Sequence, residues 1–135
     1  MHQNRYVLDT NIWISYFLNG QLLQFYEALS KNKIELFTSK FLVEEITEVI
    51  HRKKIAKYLA STPKVYIEFH KAICNKVDPP RLFTGLPDSD DNFLIDLAIQ
   101  AQAPRIVTGD KKLLTVLRVG EVHFVSMNFF NKKLE

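Results

Sequence analysis

Apolar and polar positions along this chain change period several times, and each change marks an element. Tyr6-Val7-Leu8 is a short apolar run that stops at Asp9, as a buried strand does. Residues 10–18 then read as a helix, halted by Asn19-Gly20. A second helix is predicted over residues 21–30, with Leu22, Leu23, Tyr26 and Leu29 on one face. Residues 34–37 form a second short strand. Ser39 suits the N-cap of a helix over residues 40–51, where Phe41, Leu42, Ile46, Val49 and Ile50 recur at helical spacing.

The basic segment 51–57 leads into a further short helix. A stripe of Val65, Ile67, Phe69, Ala72 and Ile73 predicts a helix over residues 64–75, broken by Asp78-Pro79-Pro80. Residues 81–90 are the longest loop, and loops of that length in a compact domain often carry function. Asp90 or Asp91 caps a helix reaching about residue 102, with Phe93, Leu94, Leu97 and Ala98 inward. Residues 105–108 form a strand, 111–117 a short helix and 122–125 a last strand. Ser126 caps a terminal helix that carries Phe129 and Phe130.

Alternating strands and helices define an α/β chain with parallel pairing, right-handed crossovers and helices on both faces of the sheet. In such sheets ligands bind beyond the carboxyl ends of the strands. The chain has 135 residues, 47% of them hydrophobic, which suits one domain over residues 1–135. Eighteen Lys and Arg against fifteen Asp and Glu leave a net charge of +3, permitting contact with nucleic acid without requiring it. The one cysteine, Cys74, excludes an internal disulfide framework and any Cys-rich zinc site. No segment resembles a signal peptide or approaches the ~18 apolar residues of a membrane span, so a cytoplasmic setting without membrane contact is expected.

The strand-end rule picks out particular acids. Asp9 follows the first strand directly, and Asp110 lies in the turn after residues 105–108. Asp88, Asp90 and Asp91 crowd the start of the helix feeding that strand, while Glu44, Glu45 and Glu48 lie near the beginning of the helix after the second strand. Glu44 and Glu45 point about 100° apart, so at most one easily joins a shared pocket. Helix capping accounts for many acids in first turns, but Asp9 and Asp110 follow apolar strands, where solvation is reduced. Two carboxylates ~5 Å apart repel by roughly 3 kcal/mol at an effective dielectric of about 20. A cluster of them calls for protonation or a cation. Hard oxygen ligands favour Mg²⁺ or Mn²⁺, and one or two such ions promote in-line hydrolysis of a phosphodiester.

Val7-Leu8-Asp9-Thr10-Asn11, Ser39-Lys40-Phe41-Leu42-Val43-Glu44-Glu45-Ile46, Asp88-Ser89-Asp90-Asp91-Asn92 and Val107-Thr108-Gly109-Asp110 occur in the order found in PIN domains. The chain resembles the prokaryotic toxin subgroup of toxin–antitoxin systems, and the likeness spans nearly its whole length. The resemblance implies a three-layer α/β/α sandwich around a central parallel sheet of four or five strands. It further implies a Mg²⁺- or Mn²⁺-dependent endoribonuclease acting on single-stranded RNA, a homodimer, and a cognate antitoxin partner. By motif position Asp9, Glu45, Asp91 and Asp110 would be the catalytic, metal-holding acids, with Glu44 the alternative to Glu45. Thr10, Asn11 and Thr108 match supporting polar positions, and Asp96 is read as an outer-shell acid.

Arg52, Lys53, Lys54 and Lys111 are the residues expected to track an RNA backbone, with Arg81 and Lys112 as further phosphate partners. Trp13, Tyr16 and Phe17 fit core or dimer packing better than a base-stacking platform. His2, His51, His70 and His123 show no ligand spacing, and Cys74 reads as a small core residue. Two other classes compete: a non-catalytic RNA- or antitoxin-binding module on the same fold, and a Mg²⁺-binding receiver-type signalling domain. The receiver would want an acidic pair near the first strand, where only Asp9 stands.

Overall fold

The computed structural model describes residues 1–135. The chain runs β1 (Arg5–Leu8), α1 (Thr10–Asn19), α2 (Leu22–Lys31), β2 (Glu35–Thr38), α3 (Lys40–Ile50), α4 (Lys53–Ala56), α5 (Pro63–Ile73) and β3 (Cys74–Lys76). A single 3₁₀ turn, Ser89–Asp91, then leads to α6 (Asn92–Ala101), β4 (Arg105–Val107), α7 (Lys111–Val116), β5 (Arg118–Val119), β6 (Val122–Val125) and α8 (Met127–Lys133).

The strands make one six-stranded sheet in the order β3-β2-β1-β4-β6-β5. All neighbours pair in parallel except β5, which runs antiparallel to β6. Helices flank the sheet in a three-layer α/β/α arrangement: α6 lies against β1, β2, β4 and β6, while α1, α3 and α5 pack side by side. The expected purely parallel sheet of four or five strands is thus extended by a two-residue antiparallel edge. From β1 the chain winds outward through β2 and β3 on one side, and β4 and β6 lie on the other. The order therefore reverses between β1 and β4. In an open α/β sheet a crevice forms at that reversal, beyond the carboxyl ends of the two strands.

Burial explains most elements. Val7, Leu8, Leu36, Ile106 and Val107 supply the sheet centre, and Leu42, Ile46, Ile50, Leu94, Ile95 and Leu97 the helix faces set on it. Three details depart from expectation. In α2 the buried residues are Phe25 and Leu29, leaving Leu23 and Tyr26 exposed. In α5 they are Tyr66 and His70, and Val65 faces outward. That helix stops at Ile73, so Cys74 begins β3 rather than sitting on an apolar helix face. A polar strand such as Cys74-Asn75-Lys76 carries no alternation to betray it; pairing with β2 makes it a strand.

No helix is long and apolar enough to cross a membrane.

Candidate active site

β1 ends in Leu8, and Asp9 follows as the N-cap of α1. Its Oδ1 accepts the Thr10 backbone N–H at 2.8 Å, while its Oδ2 accepts the Thr108 hydroxyl at 2.8 Å and the Asn11 side-chain amide at 3.4 Å. Thr108 comes from the end of β4. Its hydroxyl also accepts the backbone N–H of Asp110 at 3.1 Å, so one oxygen spans the two acids. The Gly109 N–H donates to Asn11 Oδ1 at 3.0 Å, closing a second link between the strand ends. A Cβ at Gly109 would stand 3.4 Å from that same oxygen, so the small residue lets the turn approach Asn11.

The second strand contributes through the helix behind it. The Ser39 hydroxyl accepts the Leu42 N–H at 3.2 Å and starts α3 immediately after β2. One and a half turns on, Glu45 accepts a hydrogen bond from the Thr10 hydroxyl. Glu44 is exposed and lines cavities away from these acids. The choice between the two glutamates is therefore geometric, and Glu45 is the one that shares space with Asp9.

Asp91 arrives from the long loop. Asp88 takes the capping role there, its carboxylate accepting the Asp90 N–H at 2.9 Å. Asp91 occupies the N-cap position of α6, but its side chain makes no capping bond. That carboxylate is left to face a cavity of about 420 Å³ lined by Asp9, Thr10, Asn11, Glu45, Asp91 and Asp110, with Arg52 and Lys54 on the rim. Ile14 and Val49 form the apolar wall, each one helical turn beyond Thr10 and Glu45 respectively. The i, i+4 spacing of those pairs was the available signal for them.

Electrostatics reflects this crowding. Burial pushes the Asp9 carboxyl up, its hydrogen bonds pull it down, and the charge of Asp110 pushes it up again. Glu45 is raised by burial and by the charges of Asp9, Asp90 and Glu48, against its bond from Thr10. Asp91 is raised to about 6, first by burial and then by Asp9, Asp88, Asp110 and Glu45. Each of these acids resists ionising first because it is buried and then because its neighbours carry charge.

Such a set suits a hard divalent cation. It is oxygen-only and converges from separate elements, and burial together with neighbouring carboxylates holds Asp9, Glu45 and Asp91 above their ordinary ionisation range. The carboxylates stand around the cavity rather than on one point, and no three His, Cys, Asp or Glu side chains are gathered tightly enough to enclose an ion unaided.

The other expected residues fall differently. Thr10, Asn11 and Thr108 support the acids, as described. Asp96 lies elsewhere: buried, it accepts the backbone N–H groups of Leu82 and Phe83 at 3.0–3.3 Å and so pins the loop. It borders a neighbouring cavity, not the acidic one. Of the basic residues, Arg52 and Lys54 border the acidic cavity, whereas Lys53 and Lys111 do not. Trp13, Tyr16 and Phe17 are core residues.

Residues 5–112 match the PIN domain family. Among solved structures, the chain is similar to VapBC2 from Rickettsia felis, crystallised bound to a DNA fragment from its promoter. Identity is 16% and the TM-score 0.58, over 90% of this chain and 98% of that one. It is also similar to the PIN domain endonuclease Utp24, at 18% identity and a TM-score of 0.51, over 91% of this chain and 84% of the other. At those identities the likeness speaks for the fold. A comparison with curated proteins returned no match.

Proposed function

This chain belongs to the PIN domain family, and from that premise we propose that it is a divalent-metal-dependent endoribonuclease, the toxin of a toxin–antitoxin pair. The observation that carries the reading is the meeting of Asp9, Glu45, Asp91 and Asp110 on one cavity at the switch point of the sheet. An anionic cavity is otherwise a poor place for a phosphodiester, so the acids fit this substrate only as ligands of a cation.

Asp9, Glu45, Asp91 and Asp110 would hold Mg²⁺ or Mn²⁺, one ion or two, and the bound metal supplies Lewis-acid activation of water and charge neutralisation at the phosphate. The chain's own residues set the stage for that chemistry. Thr108 and Asn11 fix the Asp9 carboxylate, so its orientation does not depend on the ligand. Thr10 fixes Glu45 in the same way. Arg52 and Lys54 stand beside the acids, where they would draw in the RNA backbone. A single strand fits this open cavity because its phosphates can turn toward the acids without a second strand attached.

The flanking helices leave Leu23 and Tyr26 exposed, a surface available for the homodimer or the antitoxin that the reading includes. In this reading the protein acts in the cytoplasm.

The test is cleavage of single-stranded RNA with Mg²⁺, with Mn²⁺ and with EDTA, comparing wild type with Asp9→Asn. Metal-dependent cleavage by wild type and at least a hundredfold loss in the variant are expected. Binding of RNA without cleavage in any metal would instead favour a non-catalytic module.

A further inference from the structure

A second cavity, of about 410 Å³, lies on the far side of the Glu44-Glu45 pair. Ser39, Phe41, Glu44, Arg81, Phe93 and Asp96 border it, and a contiguous recess shares Phe41, Arg81, Phe93 and Asp96 and adds Asp90. The two cavities are separated by consecutive residues. Glu45 and Asp91 face the acidic site, while Glu44 and Asp90 face this one. A strand that ran from the acids across the Glu44-Glu45 step would bring a neighbouring nucleotide to this second cavity.

Its floor is aromatic. The Phe41 and Phe93 rings meet edge to face at 4.6 Å. The guanidinium of Arg81 lies over Phe41, 4.2 Å from the ring centre. Arg81 lines these cavities together with Glu44, Asp78, Asp90 and Asp96, yet its guanidinium makes no ion pair; those of the molecule are Arg5–Glu35, Arg52–Glu48 and Lys76–Asp78. Stacking on Phe41 holds it instead, with the donor edge of the fork left open. The backbone on which it sits is fixed by Asp96, which takes the N–H groups of the next two residues. A planar cation held flat on an aromatic ring, on anchored backbone, presents its in-plane donors in a fixed fork to a base edge.

We infer that this cavity is a base-recognition subsite selecting guanine at the nucleotide next to the cut phosphate. The reason is the pattern of donors and acceptors. Arg81 offers only donors, in a fork that matches the O6 and N7 acceptors of guanine. The carboxyl oxygens of Glu44 and Asp90 offer acceptors, and guanine presents N1–H and N2–H together on the adjoining edge. Adenine lacks the paired acceptors, and the pyrimidines offer no pair of adjacent donors to a carboxylate. Asp96 is already engaged by backbone and takes no part. The inference rests on the ribonuclease reading for its place beside the cut, but the base preference itself does not depend on turnover.

Binding therefore tests it directly. The dinucleotides guanylyl-uridine and adenylyl-uridine are titrated by calorimetry into wild type, Arg81→Gln and Arg81→Lys, each checked for an unchanged melting temperature. Wild type should prefer the guanine dinucleotide by about tenfold, the discrimination of one good bidentate pair. Arg81→Gln and Arg81→Lys should bring the ratio to within about twofold, since lysine keeps the charge but loses the fork. Equal affinity for the two dinucleotides in wild type would overturn the subsite, and so would a guanine preference that survives both Arg81 variants. Sequencing the cuts made in a random RNA pool separates the two proposals: cleavage with no fixed guanine beside the cut removes the subsite and leaves the nuclease, whereas a guanine preference in binding without cleavage in any metal leaves the subsite and removes the nuclease.

Discussion

The hydroxyl of Thr108 donates to Asp9 across the junction of β4 and β1, at 2.8 Å, in a place fully closed to solvent. Because the same oxygen accepts the Asp110 N–H, it sets both the orientation of one acid and the turn that presents another. Neighbours of this kind fix ligand geometry without touching the ligand's partner.

Thr108→Val keeps the shape and removes that bond. It is expected to lower RNA cleavage by 10- to 100-fold and to destabilise the fold by about 1–3 kcal/mol, because Asp9 and the Asp110 N–H each lose a partner. Cleavage rates and chemical denaturation check the two parts separately. An unchanged rate in a protein that is merely less stable would show that the Asp9 orientation is fixed by other bonds.

Asp91→Asn is the cleanest probe of crowding, since Asp91 makes no capping bond that asparagine would lose. The folded protein holds this carboxyl at about 6, above its ordinary 3.8, so folding favours the protonated form. Without metal, the wild-type fold should therefore lose stability as pH rises from about 4 through about 6. At pH 7.5 the variant should melt a few degrees higher than wild type, and the gap should close at pH 4. Added Mg²⁺ should raise the melting temperature of wild type more than that of the variant. Asp9→Asn gives a less direct reading, because the native carboxylate accepts three bonds that its amide cannot all replace.

His70 gives the opposite slope. Buried against Trp13 at 4.3 Å and bonded to the Thr38 hydroxyl at 2.8 Å, it is lowered from 6.5 to about 4, chiefly by burial and secondarily by Lys71. Folding favours its neutral form, so its contribution is complete above pH 6.5 and is lost as pH falls toward 4. The loss amounts to about 3 kcal/mol at most. His70→Gln should remove the part of the acid destabilisation that falls in that window, read by denaturant melts from pH 7 to pH 4.

Asp96→Ala separates loop anchoring from a role at the metal. Leaving the Leu82 and Phe83 N–H groups without their acceptor should cost about 1–3 kcal/mol and speed hydrogen exchange of residues 82–86. The melting-temperature gain on adding Mg²⁺ should stay as in wild type. A gain that disappears would place Asp96 with the metal after all.

Much of this was legible in the residues. Asp9 and Asp110 each follow an apolar run, and a parallel sheet sends such positions to one rim, so their meeting needed only periodicity. Glu45 could not be told from Glu44 by position, because the two differ by one helical step; the Thr10 hydroxyl on the far side of the site makes the difference. Asp96 misled for the same reason. Helical spacing from Asp91 says where an acid points around α6, but not that the preceding loop folds back to use it. Leu23 and Tyr26 of α2 look like core by composition, whereas the buried face is that of Phe25, whose ring meets Trp13 and Tyr16 of α1, and Leu29. β3 and β5 are short, polar edge strands, which pairing alone defines.

The central claim is that Asp9, Glu45, Asp91 and Asp110 together hold a divalent cation, and anomalous diffraction from crystals soaked in Mn²⁺ tests it most directly. A manganese peak within ligand distance of at least three of those carboxylates, and absent in crystals of Asp91→Asn, is the result expected. Manganese bound elsewhere, or no peak among these acids at saturating metal, would contradict it.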